Sequence, residues 1–176
     1  MRVLETAVYR GPHLYSRTPM IRIQLDLDDE TDAGPGLVSR LLELFPGLQR
    51  HHCSTGHEGG FVERLHDGTR LGHVIEHVAL ELQVEAGLPA GRGKTRAVRG
   101  HEGIYNVMFA YQDEQVGRLA GRIATALVGG AGVQGLDLIA PPPSPDAGAA
   151  IPGLAALRAH LGPPAAVTGW TPGWVV

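Results

Sequence analysis

Five consecutive residues, Pro141-Pro142-Pro143-Ser144-Pro145, limit what this 176-residue chain can fold into. Proline lacks the backbone N–H and fixes φ, so such a run cannot continue a helix or lie in a central strand. The residues beyond position 130 share this character. They hold eight of the chain's 13 prolines, and their only charged side chains are Asp137, Asp146 and Arg158. Residues 131–150 therefore read as a linker, and residues 131–176 as a Pro/Gly-rich linker and tail in which only 154–161 suits a helix. The folded domain is expected over residues 1–130, long enough for one core.

Within that stretch the apolar residues change period from element to element. Residues 20–27 alternate, with Ile21, Ile23, Leu25 and Leu27 on one face and Arg22, Gln24 and Asp26 on the other. That is the pattern of a half-buried strand. Residues 2–10 and 104–111 also read as strands, the first joined to 20–27 as a hairpin with a long loop. Helical spacing recurs over 37–44, stopped by Pro46-Gly47, and over 71–86, where Leu71, Val74, Ile75, Val78 and Leu82 form the stripe and Gly87 with Pro89 ends it. A third helix is expected over 113–128, with Asp113 as its N-cap and Gly129-Gly130 as its stop. The expected architecture is α+β: a small antiparallel sheet packed on helices, with the 71–86 helix at the core.

Several function classes fall away on composition. A net charge of −3 argues against a general nucleic-acid binder, which would be strongly basic. No run of eighteen apolar residues predicts a membrane span, and the N-terminus lacks a secretory pattern. Cys53 is the single cysteine, so no internal disulfide forms. A cytoplasmic address follows as the expectation.

The chemistry concentrates in the histidines. Six of the nine lie between residues 51 and 77. His73-Val74-Ile75-Glu76-His77 is an H-x-x-E-H pattern on the strongest helix. Residues four apart lie on one helix face, so both imidazoles reach a single ion, while Glu76 borders that face as a base for an attacking water. Against this stands the plain alternative of two histidines satisfied by ordinary hydrogen bonds. A zinc site needs a third protein ligand. Glu81 lies two turns from His73, too far along the axis to share the ion, and is read as a partner that orients His77. The third ligand is sought in the segment 51–57: Cys53 first, then His57, then His51. His52 and His66 are read as having no metal role.

Several blocks in order, Cys53-Ser-Thr-Gly-His57-Glu-Gly-Gly-Phe61-Val-Glu63-Arg64, then Gly72 to Gln83, Gly87-Leu-Pro and Gly103-Ile-Tyr-Asn-Val-Met-Phe, resemble the N-terminal domain of cyanophycin synthetase. The opening Arg10-Gly11-Pro12-His13-Leu14-Tyr15-Ser16 is similar as well, and the likeness covers about residues 1–130. A more distant likeness, on the H-x-x-E-H alone, is to S-ribosylhomocysteine lyase and the processing peptidases. Cyanophycin synthetases polymerise aspartate and arginine with ATP. The resemblance implies a domain that holds the polymer near the ligase sites and in some members cleaves it. It matches His73, Glu76 and His77 to the family's H-x-x-E-H, and Cys53 to the first cysteine of its C-S-x-G-C element. Two departures stand out. His57 occupies the place of the second cysteine, and the ATP-grasp and Mur-ligase-like domains are absent, so the chain is expected to stand alone. Gly91-Arg92-Gly93-Lys94-Thr95 has Leu88 where a phosphate loop needs its first glycine, and is read as a basic loop.

The leading expectation is a zinc-dependent hydrolase acting on an amide bond of the aspartate–arginine polymer. His73, His77 and Cys53 hold the metal, with His57 as the alternative third ligand, Glu76 is the catalytic base, and Glu81 supports His77. Glu63, Arg64 and Arg92 are the first candidates for binding substrate charges, with Arg70 and Lys94 among the further cations. The alternatives are a non-catalytic module that binds polymer or docks on a separate cyanophycin synthetase, and a truncated remnant. A homo-oligomer is compatible with the sequence; neither a nucleic acid nor a membrane is an expected partner.

Overall fold

The computed structural model of the protein describes residues 1–13, 16–27 and 32–130. The tail expected over 131–176 lies outside the described residues.

Four strands, β1 (Arg2–Tyr9), β2 (Met20–Asp26), β3 (Gly93–Ala97) and β4 (Ile104–Ala110), form one antiparallel sheet in the order β1-β2-β4-β3. Four α-helices accompany it: α1 (Pro35–Leu44), α2 (Gly60–His66), α3 (Leu71–Glu85) and α4 (Glu114–Val128). A 3-10 turn, Pro46–Arg50, follows α1. This is the expected α+β class.

The alternation read from β2 sets the sheet's inner face. Ile21, Ile23 and Leu25 are buried and pair in register with Phe109, Val107 and Tyr105 of β4. Helices α3 and α4 cover this face. Helix α4 begins where Asp113 accepts a hydrogen bond from the Val116 N–H at 2.9 Å, as its sequence predicts. Helix α3 ends in paired bonds from Gly87 N–H to the Val84 carbonyl and from Leu88 N–H to the Gln83 carbonyl, which satisfy its last carbonyls. Twelve of the fifteen α3 residues are buried. The sheet lies against one side of this helix, and the 3-10 turn and α2 lie against another, contributing Leu48, Phe61 and Leu65 to the same core.

Two elements differ from the sequence reading, and a third matches it with one added detail. The 2–10 segment pairs with β2 as expected, but it is an edge strand whose Val3 and Leu4 are 47% and 41% exposed. Apolar residues there reflect β propensity rather than burial. The basic loop expected at 91–95 is instead the start of edge strand β3, whose Lys94 and Arg96 are exposed while its backbone pairs with β4. Charged side chains on an edge strand hinder pairing with further chains, and they conceal the strand from an apolar pattern search. Helix α2, seven residues long, is too short for helical periodicity to declare itself.

Candidate metal centre

Residues 73 and 77 occupy one face of α3, one turn apart. That face meets His51, Cys53 and Phe61, from the segment that runs from the 3-10 turn to α2. His73 Nε2 and His77 Nε2 approach to 3.1 Å, and Cys53 Sγ lies 3.4 Å from His73 Nε2. Together the three offer one ligand atom each, all within 4.8 Å of one another. Two nitrogens bound to one tetrahedral ion at about 2.0–2.1 Å stand about 3.3 Å apart, and a nitrogen and a sulfur slightly farther. The donor set therefore fits a zinc ion in both spacing and chemistry.

The ring states agree with that fit. Burial, aided by the Arg64 guanidinium, pulls His73 down to about 4. Burial first, then the neighbouring His73 and His51 rings, holds His77 well below its usual value. Both imidazoles are thus neutral at neutral pH, the form that binds a metal. Each has a partner on its other nitrogen. His73 Nδ1 is 2.9 Å from Thr69 Oγ1, and His77 Nδ1 is 2.8 Å from Nδ1 of His51. Phe61 stacks on His77 at 3.8 Å between ring centres and meets His73 edge-on at 5.6 Å, which fixes both ring planes.

Glu76 reaches towards β3, where Thr95 Oγ1 donates to its Oε2 at 2.6 Å. Only 3% of it is exposed. Burial pushes its carboxyl up to about 7, with the Thr95 hydrogen bond pulling the other way. The backbone of β3 comes so near that a Cβ on Gly93 would lie 2.6 Å from Glu76 Oε1 and 2.7 Å from its Cδ. Gly93→Ala must therefore displace either the strand or the carboxylate. The expected cost is about 1–3 kcal/mol of stability, the usual range for overpacking, read from the urea midpoint. An unchanged midpoint would show that β3 yields freely at this point.

Cys53, His73 and Glu76 share a cleft of about 640 Å³. Arg64, Arg70, Lys94 and Asp32 also line it, so three cations face one carboxylate at the rim. Arg70 lies over the Tyr105 ring at 5.2 Å, which steadies its long side chain.

The sequence-derived candidates separate on this geometry. Cys53, and not His57, sits with the two helix histidines. His57 is on the surface, its Nε2 3.3 Å from Glu63, so Glu63 faces His57 and neither residue lines the cleft. Arg64 lines the cleft; Arg92 is exposed outside it. Glu81 does not touch His77 directly. It reaches His51 Nε2 at 2.8 Å, and His51 in turn contacts His77. The distance between a short carboxylate and an imidazole one turn away is filled here by a second ring. His51 stands third among the loop candidates, after Cys53 and His57. Thr69 and Thr95 carry no sequence signal at all.

The fold and the site together define a class: a small α+β domain in which two histidines of a buried helix and a cysteine from the preceding loop form a cluster that could hold a metal, with a buried carboxylate in the same cleft. The chain belongs to the cyanophycin synthase-like N-terminal domain family, whose model matches residues 20–131. It is 48% identical over 133 residues to the cyanophycin synthetase of Crocosphaera subtropica, covering 72% of this chain and 15% of that protein. With the cyanophycin synthetase of Geminocystis herdmanii it is 44% identical over 149 residues, 80% of this chain and 17% of that one. With that of a Synechocystis species it is 46% identical over 133 residues, 72% and 15% respectively. The chain thus spans about 15–17% of the length of these curated relatives. Among the described residues no helix is long and apolar enough to cross a membrane.

Proposed function

We propose that this chain is a zinc-dependent amide hydrolase that acts on the aspartate–arginine polymer, cyanophycin. The observation that carries the reading is the convergence of Cys53, His73 and His77, of which Cys53 and His73 share a cleft with the buried Glu76. His73 and His77 would hold the ion through Nε2 and Cys53 through its thiolate. Zinc held there supplies polarisation of an amide carbonyl and a water acidic enough to attack at neutral pH.

The chain's own residues do the rest. Glu76, with its carboxyl near neutrality, takes a proton from the attacking water and returns it to the leaving amine. Thr95 holds that carboxylate in place through the 2.6 Å hydrogen bond. Arg64, Arg70 and Lys94 at the rim suit a substrate that presents carboxylates, as the arginine units of such a polymer do. Membership of a family whose named relatives are cyanophycin synthetases supports this choice of substrate over other peptides.

The test combines metal analysis with insoluble polymer. Protein purified without chelator is expected to carry about one zinc per chain and to release soluble fragments. Chelator should stop release, and added zinc restore it, while the protein continues to sediment with the polymer. Sedimentation without release would leave a binding module in place of a hydrolase. Release that persists without metal would overturn the zinc reading.

A further inference from the structure

Glu81 and His51, which the cleft chemistry does not use, form a buried chain with His77. His51 is fully buried, Glu81 is 1% exposed and His77 4%. The links are 2.8 Å from Glu81 Oε2 to His51 Nε2 and 2.8 Å from His51 Nδ1 to His77 Nδ1. From these contacts we infer that Glu81, acting through His51, holds His77 in the tautomer whose Nε2 lone pair is free to bind a metal. This rests on the metal-centre reading above.

The argument is one of donors and acceptors. A carboxylate can only accept, so His51 must present N–H at Nε2. With that as the ring's one proton, Nδ1 of His51 is bare. Two bare nitrogens cannot stand 2.8 Å apart as partners, so His77 must carry its proton on Nδ1. Its Nε2 is left as a lone pair, and that atom faces His73 and Cys53. His73 differs. Its Nδ1 partner is the Thr69 hydroxyl, which donates or accepts equally well, so that side admits either tautomer. In the metal-free protein His73 satisfies the 3.1 Å contact by donating from Nε2 to His77. Only the proton at His73 then has to move to Nδ1 for both Nε2 lone pairs to meet an ion, and Thr69 turns from donor to acceptor as it does.

The placement of Glu81 supports a role beyond packing. Among the described residues its Oε1 has no hydrogen-bond partner. The backbone of the 3-10 turn is set against the carboxylate at Gly47, where a Cβ would collide with Oε1. A buried carboxylate with a bare oxygen is a poor choice for stability alone. Its one bonded oxygen is the one that orients His51. Glu81 is thus a positioning residue, two contacts removed from the ion.

Nitrogen-15 NMR of the metal-free full chain reads the tautomers directly. The expected result is His77 protonated on Nδ1 and His51 on Nε2. His77 protonated on Nε2 would overturn the proposal, because His51 would then be donating from Nδ1. Competition with a chelating indicator supplies the second measurement. Glu81→Leu removes the acceptor and should weaken zinc binding by about 10–100-fold, the usual effect of losing a partner that orients a ligand. A stability loss with unchanged affinity would make Glu81 merely structural. If Glu81→Leu fails to fold, the wild-type tautomers still decide. If the wild type takes up no zinc, the metal reading falls and the tautomers test the Glu81–His51–His77 chain by itself.

Discussion

Glu76→Gln is expected to slow polymer hydrolysis by between about a hundredfold and ten-thousandfold while leaving the zinc content unchanged. That is the range a positioned general base contributes. Glutamine keeps the size of the side chain and can still accept from Thr95, so the cleft retains its shape. What it lacks is the ability to take a proton. The same substitution has a second, opposite effect on the metal-free fold. Burial raises the Glu76 carboxyl from its usual 4.5 to about 7. An acid raised in the folded state contributes its full stability below about pH 4.5 and loses it as the pH rises to about 7. Above that the fold holds a buried carboxylate at a cost of roughly 3 kcal/mol, at about 1.4 kcal/mol per pH unit. Glutamine carries no such charge. Chelated Glu76→Gln should therefore unfold at a higher urea concentration than wild type at pH 8 and at the same concentration near pH 4.5. His73 and His77 act in the other direction, since rings held below their usual values weaken the fold as the pH falls below about 6.5. They are common to both proteins, so the difference between the two curves isolates Glu76. A glutamine variant that is inactive but also less stable at pH 8 would show a carboxylate needed for structure instead.

The parts of the molecule legible from sequence are those in which a period runs long enough to be counted. The seven-residue alternation of β2 identified its inner face, and the stripe through Leu71, Val74, Ile75, Val78 and Leu82 identified α3 and placed His73 and His77 together on it. Elements that owe their form to a neighbour were not legible. Strand β3 exists because β4 offers it a ladder, and its exposed Lys94 and Arg96 give no sign of that. In β1 the strand itself was legible, and its edge position, which leaves Val3 and Leu4 open, was not. The site divides in the same way. The spacing within H-x-x-E-H is local geometry and can be read directly. The bond between His51 and Glu81 joins residues 30 apart in sequence, and its path through a second imidazole depends on where the 3-10 turn delivers the chain. A helix count placed Glu81 on the side of His77, but it could not supply the ring between them. His57 was a strong alternative ligand by composition alone. Its place next to Glu63 on the surface follows from how the glycines of the 56–60 stretch turn the chain, which no spacing rule states.

Cys53→Ser is expected to weaken zinc binding by more than about a hundredfold, beyond what losing a ligand's supporting partner costs, whereas His57→Ala should leave it unchanged. Serine matches the thiol closely in shape, and position 53 is 2% exposed, so the buried space is kept and the hydroxyl retains His73 as a partner. The change is one of ligand chemistry: a thiolate binds zinc strongly, and a neutral hydroxyl does so poorly. Cobalt makes the assignment visible. A thiolate bound to Co²⁺ gives a near-ultraviolet charge-transfer band, which a site of imidazoles and water lacks. The cobalt-loaded wild type and His57→Ala should both show that band, and Cys53→Ser should not. Thermal unfolding provides a parallel measure. A ligand that binds only the folded state stabilises it by about 4 kcal/mol when present at a thousand times its dissociation constant. Chelator should thus lower the melting temperature of wild type and of His57→Ala, and leave Cys53→Ser where it was. The converse pattern, a band and a chelator effect lost in His57→Ala and kept in Cys53→Ser, would require the surface loop to fold inwards when metal binds. The third ligand would then be the histidine that stands in place of the family's second cysteine.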